Sequence, residues 1–198
     1  MIDIISNIPQ NKTILILTSY RTGSTALCDL VAKQNNLINC GELFHFVEDV
    51  DSYTAYQNKN IVLKIMPDQI PHDKYWNDLI NKSYIIGLHR KRIDKQIASF
   101  YISHRTKKWH FEKKDSLLDN YQVEIDIFDL EDQIRYILKM NDIYDTYFKK
   151  FTQAVLSYEE LYENLIETNY QIYSKPNNYI EIVDTINKLI PQIYEHSN

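Results

Sequence analysis

Glycine is nearly absent from this chain: three in 198 residues, Gly23, Gly41 and Gly87, where an average protein carries about 7%. A sequence that has drifted away from glycine keeps one where a Cβ is not tolerated, so each of the three marks a constrained stretch of backbone. Cysteine is as scarce. Cys28 and Cys40 form neither a CxxC nor a metal-ligand spacing, and a chain of this length needs no disulfide framework, so both read as buried free thiols. Long apolar runs are missing too: nothing approaches the ~20 residues that span a bilayer. The opening MIDIISNIPQNK has neither the basic start nor the small-residue cleavage site of a leader. The expectation is a cytoplasmic protein with no membrane partner.

What is present is ordinary globular material, 44% hydrophobic, 25% charged and 13% aromatic, enough for one core and one domain over residues 1–198. The net charge of −5 is unevenly spread. From His89 to Lys108, seven cations (Arg90, Lys91, Arg92, Lys95, Arg105, Lys107, Lys108) face one acid, Asp94, a local +6 that leaves about −11 for the rest. A basic island in an acidic chain suits a small polyanion and not a long nucleic acid, which the surrounding field would repel. A solvated helix face is the plainer alternative.

The apolar run TILILT, residues 13–18, reads as a buried strand, followed by a turn and a helix with Leu27, Leu30 and Val31 on one face and Ser24 or Thr22 as its cap. IVLKIM (61–66), YIIGLH (84–89) and QAVLSY (153–158) are further buried-strand candidates. Helical patterns run over about 94–106 and 129–150, the second capped by Asp129, and the tail from 159 is helical with a break near SKPNN. The alternation predicts an α/β protein with a mostly parallel sheet flanked by helices. Residues 110–128 carry the weakest pattern and read as a mobile loop over a site.

The turn SYRTGST joins the first strand to the first helix, where backbone N–H groups and the helix dipole favour an anion. It is not a Walker A loop, for the GK[ST] lysine is missing and Arg21 stands two residues before Gly23. Arg21 can neutralise an anion, and Ser24 and Thr25 add hydroxyl donors. A simple strand–helix turn with a serine cap remains the other reading of these residues alone.

In sequence, SYRTGSTALCDLV resembles the 5′-phosphosulfate loop, of the R-[ST]-G-S-T-x-L type, of bacterial sulfotransferases related to trehalose 2-sulfotransferase. CGELF (40–44) and IVLKIMPDQ (61–69) are similar to segments that follow in that family. LHRKRIDKQIASFYISHRTKKWH (88–110) looks like its 3′-phosphate strand and helix, and LSYEELYEN (156–164) like its Y-E-[DE]-L stretch. The matches keep family order across residues 14–164. The resemblance implies a P-loop-like fold, no metal, and 3′-phosphoadenosine 5′-phosphosulfate (PAPS) as donor to a carbohydrate or other small hydroxyl acceptor.

By that resemblance Arg21 binds the bridging and sulfonate oxygens, and the N–H groups of Thr22, Gly23, Ser24 and Thr25 hold the 5′-phosphate. Glu42 matches the base position, with His45 or no base in this segment as alternatives. Lys64, in the middle of a buried strand, needs an anionic partner or a cavity; the sulfonate and a structural ion pair both fit. Arg90 and Ser99 fall to the 3′-phosphate, although the commoner spacing selects Lys91. Trp109 stacks on adenine, walls the acceptor site or belongs to the core, and Tyr158 and Glu159 pin the end of the last strand. The chain departs from the wider family in having no late R-K-G-x-x-G loop. It is also short, so that an acceptor lid is absent or comes from a second subunit of a homodimer. The rival functions are a P-loop kinase of small molecules and a nucleotide-binding protein without transfer activity.

Overall fold

The computed structural model describes residues 8–9, 12–45, 54, 59–71, 73–109, 121–165 and 175–195. Part of the expected mobile loop, residues 110–120, therefore lies outside the described residues. Five strands, β1 (Thr13–Thr18), β2 (Ile38–Gly41), β3 (Ile61–Ile65), β4 (Ser83–His89) and β5 (Ala154–Ser157), pair in parallel in the order β2-β3-β1-β4-β5. The helices are α1 (Ser24–Asn35), α2 (Asp73–Lys82), α3 (Ile93–Thr106), α4 (Ile127–Ile143), α5 (Tyr158–Leu165) and α6 (Tyr179–Glu195). The fold is α/β, with a parallel five-stranded sheet flanked by helices, as the strand–helix alternation predicts.

The chain divides into two compact units, the described parts of Met1–Lys91 with Met140–Asn164, and those of Arg92–Lys139 with Leu165–Asn198. The first unit holds the sheet. β1 lies at its centre with every aliphatic from Ile14 to Leu17 fully buried, which is why TILILT reads as a continuous apolar run and not an alternating one. Leu15 and Leu17 pack with Leu63, Ile65 and Ile85, with Trp76 and Leu79 of α2, and with Tyr144 and Phe148. Successive side chains of a strand point to opposite faces, so Val62 and Lys64 of β3 point away from this core. They face the side where α1 packs on β3 and buries Leu27, Cys28 and Val31. Burial pushes the Cys28 thiol up to about 12, which keeps it protonated and inert; Cys40 is half-buried and also free.

Two helix ends differ from the sequence expectation. The residue ahead of α1 is Gly23, left-handed at φ 81°, and no side chain caps the helix; the Thr22 hydroxyl turns inward instead. Helix α4 is capped by Asp126, whose Oδ1 accepts the N–H groups of Phe128 and Asp129 at 3.1 and 3.2 Å, so the cap stands three residues before Asp129. Past Ile143 the pattern read as helix to 150 becomes a π-helical turn (Tyr144–Phe148) and a 3-10 turn (Lys149–Phe151). In the second unit α3 packs on α6. There the Tyr101 hydroxyl donates to the Glu124 carbonyl and accepts from the Asp126 N–H, each at 2.9 Å, joining α3 to the chain that enters α4.

Gly87, on β4, is retained for space. A Cβ there would stand 2.5 Å from the Tyr144 hydroxyl and 2.8 Å from the Thr152 methyl, and the Tyr144 hydroxyl is buried without a hydrogen-bond partner. Gly87→Ala is therefore expected to destabilise the protein by about 1–3 kcal/mol through overpacking. Tyr144→Phe removes an unsatisfied buried oxygen and should leave stability unchanged or raise it by up to about 1 kcal/mol. Urea denaturation measures both, and a Tyr144→Phe loss as large as that of Gly87→Ala would show that the hydroxyl is bonded after all.

Candidate functional site

In a parallel sheet a ligand crevice opens where neighbouring strands send their connections in opposite directions. Here that point lies between β1, which leads toward β2 and β3, and β4, which leads toward β5. The turn after β1 and the first residues after β4 meet there: Arg90 Nη1 donates to the Arg21 carbonyl at 3.1 Å.

The turn is held from several sides. Thr18 Oγ1 donates to the Leu88 carbonyl at 3.0 Å and is in contact with Thr22 Oγ1, which itself reaches the Ser19 carbonyl at 3.1 Å. At the rim the Tyr20 hydroxyl bonds the Asp68 carboxylate, 2.8 and 2.9 Å from its two oxygens. Arg21 sits in the left-handed region at φ 57° and Gly23 at φ 81°. For arginine that conformation costs about 1–2 kcal/mol, strain of the kind that persists where the surroundings impose it. The first helical bond of α1 runs from the Leu27 N–H to the Gly23 carbonyl, so the N–H groups of Ser24, Thr25 and Ala26 precede the intrahelical ladder. Of the residues expected to bind an anion, Arg21, Thr22, Gly23, Ser24 and Thr25 thus form one continuous cradle. The Thr22 side chain braces it from within.

Lys64 gives the cradle its neighbour. Its ammonium, 6% exposed, donates to Thr25 Oγ1 at 2.8 Å and pairs with Glu42 Oε1 at 2.9 Å. Glu42 follows Gly41, whose φ of 55° and shifted register turn the chain out of β2. Its second oxygen, Oε2, accepts from Gln69 Nε2 at 3.2 Å, and the same nitrogen lies 2.8 Å from His45 Nδ1. Burial pushes the Glu42 carboxyl up, but the charge and hydrogen bond of Lys64, then Gln69 and His45, more than offset it and hold the group below the ordinary glutamate range. Glu42, His45, Lys64 and Thr25 are therefore one cluster. Gln69, in the 3-10 turn Pro67–Gln69, was not singled out from the sequence; a neutral amide carries no charge signal, and only its place in the quoted MPDQ run pointed to it.

After β4, the neighbours Arg90 and Lys91 have opposite surroundings. The Arg90 guanidinium lies 4.0 Å from the centroid of the Tyr158 ring, and its Nε is buried without a partner; no described carboxylate pairs with it. Lys91 is occupied: its ammonium meets Glu160 Oε1 at 2.9 Å and its N–H donates to Glu159 Oε2 at 3.0 Å. Glu160 also closes a capping box with Ser157 at the start of α5, 2.9 and 3.2 Å. The Lys91 bond, then the Ser157 N–H, pull its carboxyl down to about 2. Tyr158 and Glu159 thus hold the end of β5 to the chain leaving β4. Ser99 lies on α3, in the other unit, where its carbonyl accepts the Ser103 hydroxyl at 2.9 Å. Trp109, 37% exposed, packs edge-on against Phe100 with centroids 5.4 Å apart. Two further cations of the basic run are paired: Arg92 makes two bonds to Asp94, at 3.0 and 2.6 Å, and Arg105 lies 3.7 Å from Asp129.

Because the folded Glu42 titrates below its unfolded value, the stability it contributes is present above the ordinary glutamate range and is lost as pH falls through the lowered folded value. In Lys64→Met only Gln69 and His45 still oppose burial and the Glu42 carboxyl should move upward, so that the acid loss of stability it causes shrinks. Carboxyl ¹³C titration of Glu42, with urea midpoints across the acidic range, reads both effects; an unmoved midpoint would mean that Lys64 does not control this carboxylate.

No family model matches the chain, and no curated protein matches it in sequence. Likeness exists to solved structures. Shikimate kinase from Bacteroides thetaiotaomicron superposes with a TM-score of 0.50 at 10% identity, covering 92% of this chain and 98% of that one. Shikimate kinase from Acinetobacter baumannii in complex with shikimate gives 0.45 at 10% identity, over 85% and 99% of the two chains. Retinol dehydratase in a complex with retinol and PAP gives 0.37 at 12% identity, over 98% of this chain and 67% of that one; these two looser likenesses carry no argument. What the first shares with this protein is its fold, a parallel sheet flanked by helices.

Proposed function

We propose that this chain is a sulfotransferase that moves the sulfuryl group of PAPS to a hydroxyl of a carbohydrate or another small acceptor. The observation that carries the reading is the Lys64 bridge. One buried ammonium touches the anion-binding turn at Thr25, 2.8 Å, and the carboxylate of Glu42, 2.9 Å, so a proton acceptor stands beside a phosphate cradle. In the reaction the acceptor oxygen attacks sulfur and Glu42 takes its proton. The bond from sulfur to the 5′-phosphate oxygen breaks in line, and adenosine 3′,5′-bisphosphate leaves. Arg21 and the first-turn N–H groups of α1 stabilise the charge that develops on the leaving phosphate. Lys64 lies between the two reacting partners and neutralises the sulfonate.

Arg90 supports a second anionic group on the same ligand. Its charge has no described carboxylate partner, one donor is buried and unused, and its position is braced by Tyr158 and the Arg21 carbonyl. Lys91, already paired with Glu160, is the weaker candidate for the 3′-phosphate. The kinase alternative fits the cradle less well. A GK[ST] loop reaches the terminal phosphates with its lysine and offers its Ser/Thr hydroxyl to magnesium. Here Ser24 follows Gly23, and the Thr25 hydroxyl already accepts the Lys64 ammonium.

Calorimetry with adenosine 3′,5′-bisphosphate and with magnesium ATP, offered separately, tests the reading: the bisphosphate should bind and ATP should not. Tight ATP binding without bisphosphate binding would end it. Arg90→Ala should weaken the bisphosphate about tenfold to a hundredfold, since charge-assisted hydrogen bonds contribute about 1.5–3 kcal/mol. Glu42→Gln should leave that affinity within about twofold and lower turnover of PAPS, assayed over a panel of sugars and polyols, by about 10²–10⁴. Normal turnover in Glu42→Gln would show that the base is another group.

A further inference from the structure

We propose that Gln69 is the positioning residue of this site: its one amide nitrogen holds Glu42 in place and leaves His45 with its ring proton on Nε2, as a hydrogen-bond donor and not a second base. The catalytic part of this proposal rests on the sulfotransferase reading; the structural part does not.

The inference runs outward from Lys64. An ammonium buried at 6% exposure and 2.9 Å from Glu42 Oε1 keeps that carboxylate ionised. An ionised carboxylate only accepts hydrogen bonds. The end of the Gln69 amide that faces Oε2 at 3.2 Å must therefore be the NH₂ group, since the opposite orientation would set oxygen against oxygen. That NH₂ carries a second hydrogen, and His45 Nδ1 lies 2.8 Å from the same nitrogen. With an N–H directed at it, Nδ1 is the acceptor, and in the neutral imidazole the proton is then on Nε2. The orientation has a visible cost: Gln69 is 6% exposed and its Oε1 is buried with no hydrogen-bond partner. An amide free to choose would turn that oxygen toward a donor. Glu42 prevents it.

For the chemistry, one carboxylate is aligned to take the proton of the acceptor hydroxyl, with both of its oxygens already anchored, one by Lys64 and one by Gln69. His45, with its side chain 47% exposed, offers an N–H to a neighbouring oxygen of the acceptor. Glu42 acts on the rate of transfer, His45 on acceptor binding, and Gln69 on both without touching the substrate.

The test is ¹⁵N and ¹³C NMR on the full chain in mildly alkaline buffer, where no acceptor is needed. The wild-type His45 should show the Nε2–H tautomer alone. Gln69→Leu should shift its Nδ1 resonance toward the average of the two tautomers and move the Glu42 carboxyl midpoint upward, while the affinity for adenosine 3′,5′-bisphosphate stays within about twofold. If Gln69→Leu fails to fold, Gln69→Glu, which keeps the length but cannot donate when ionised, takes its place. A wild-type His45 with its proton on Nδ1, or a tautomer and midpoint that do not respond to either variant, overturns the proposal even if the bisphosphate binds. Absence of bisphosphate binding alongside the expected NMR changes would instead sink the sulfotransferase reading and leave the role of Gln69 standing. In turnover, His45→Ala should raise KM for the acceptor about tenfold with kcat little changed, and Gln69→Leu should lower kcat about tenfold; a His45→Ala loss confined to kcat would make His45 a base and overturn the division of roles.

Discussion

A lysine buried in the middle of a parallel strand is the constraint on which the rest of the site depends. Strand alternation puts Lys64 on the face opposite Leu63 and Ile65, toward α1, where it is buried. A buried charge left without a partner costs about 3–5 kcal/mol, so the surroundings must supply one. Glu42 from the end of β2 and Thr25 from the first turn of α1 do so. That one requirement draws together three segments far apart in sequence. The same ion pair works against basicity, because the ammonium that stabilises Glu42 also holds its carboxyl below the ordinary range.

The cradle is held by bonds within the protein. Thr18, Thr22 and Ser19 bond one another beneath it, Tyr20 is tied to Asp68 at the rim, and Arg90 grips the Arg21 carbonyl. Arg21 holds a left-handed backbone conformation that an unsupported turn would relax, beside Gly23, which adopts one without strain. In the proposed reaction, donors fixed in this way do not have to reorganise as charge develops, which is the source of most electrostatic stabilisation of a transition state. The scarcity of glycine fits this arrangement: Gly23 and Gly41 are kept for positive φ, one opening the cradle and one leading into Glu42, and Gly87 for the space beneath Tyr144.

Much of this was legible in the sequence where burial writes a strong pattern. β1, β3 and β4 are buried parallel strands and β5 a half-buried one, and TILILT, IVLKIM, YIIGLH and QAVLSY read as strands within a residue or two of their observed ends. β2 left no trace. INCG is a four-residue edge strand with no buried position, so neither alternation nor an apolar run betrays it. Helix α2 was also missed, since its core contribution is limited to Trp76 and Leu79 amid polar residues. Asp126 and Asp129 are both acids near a helix start, and composition alone does not choose between them; the Tyr101 hydroxyl on the Asp126 N–H is part of what does. In the site, the residues that carry charge could be picked out, because a buried or clustered charge needs a reason. Gln69 could not, because its effect is to orient charges it does not carry.

The fate of Arg90 and Lys91 shows how far such a reading reaches. Both are cations at the end of the same strand, and spacing favoured one or the other according to which pattern was followed. The choice is made some seventy residues later. SYEE, at the junction of β5 and α5, sets an aromatic face under Arg90 and two carboxylates against Lys91, one of them also closing the capping box that starts the helix. A ring can hold a guanidinium without neutralising it, whereas a carboxylate consumes the charge it pairs with. The Ser-Tyr-Glu-Glu run therefore leaves one cation available to an anionic ligand and withdraws its neighbour. A charge count over the basic island sees seven cations; the structure leaves Arg90 beside the cradle with its charge unspent.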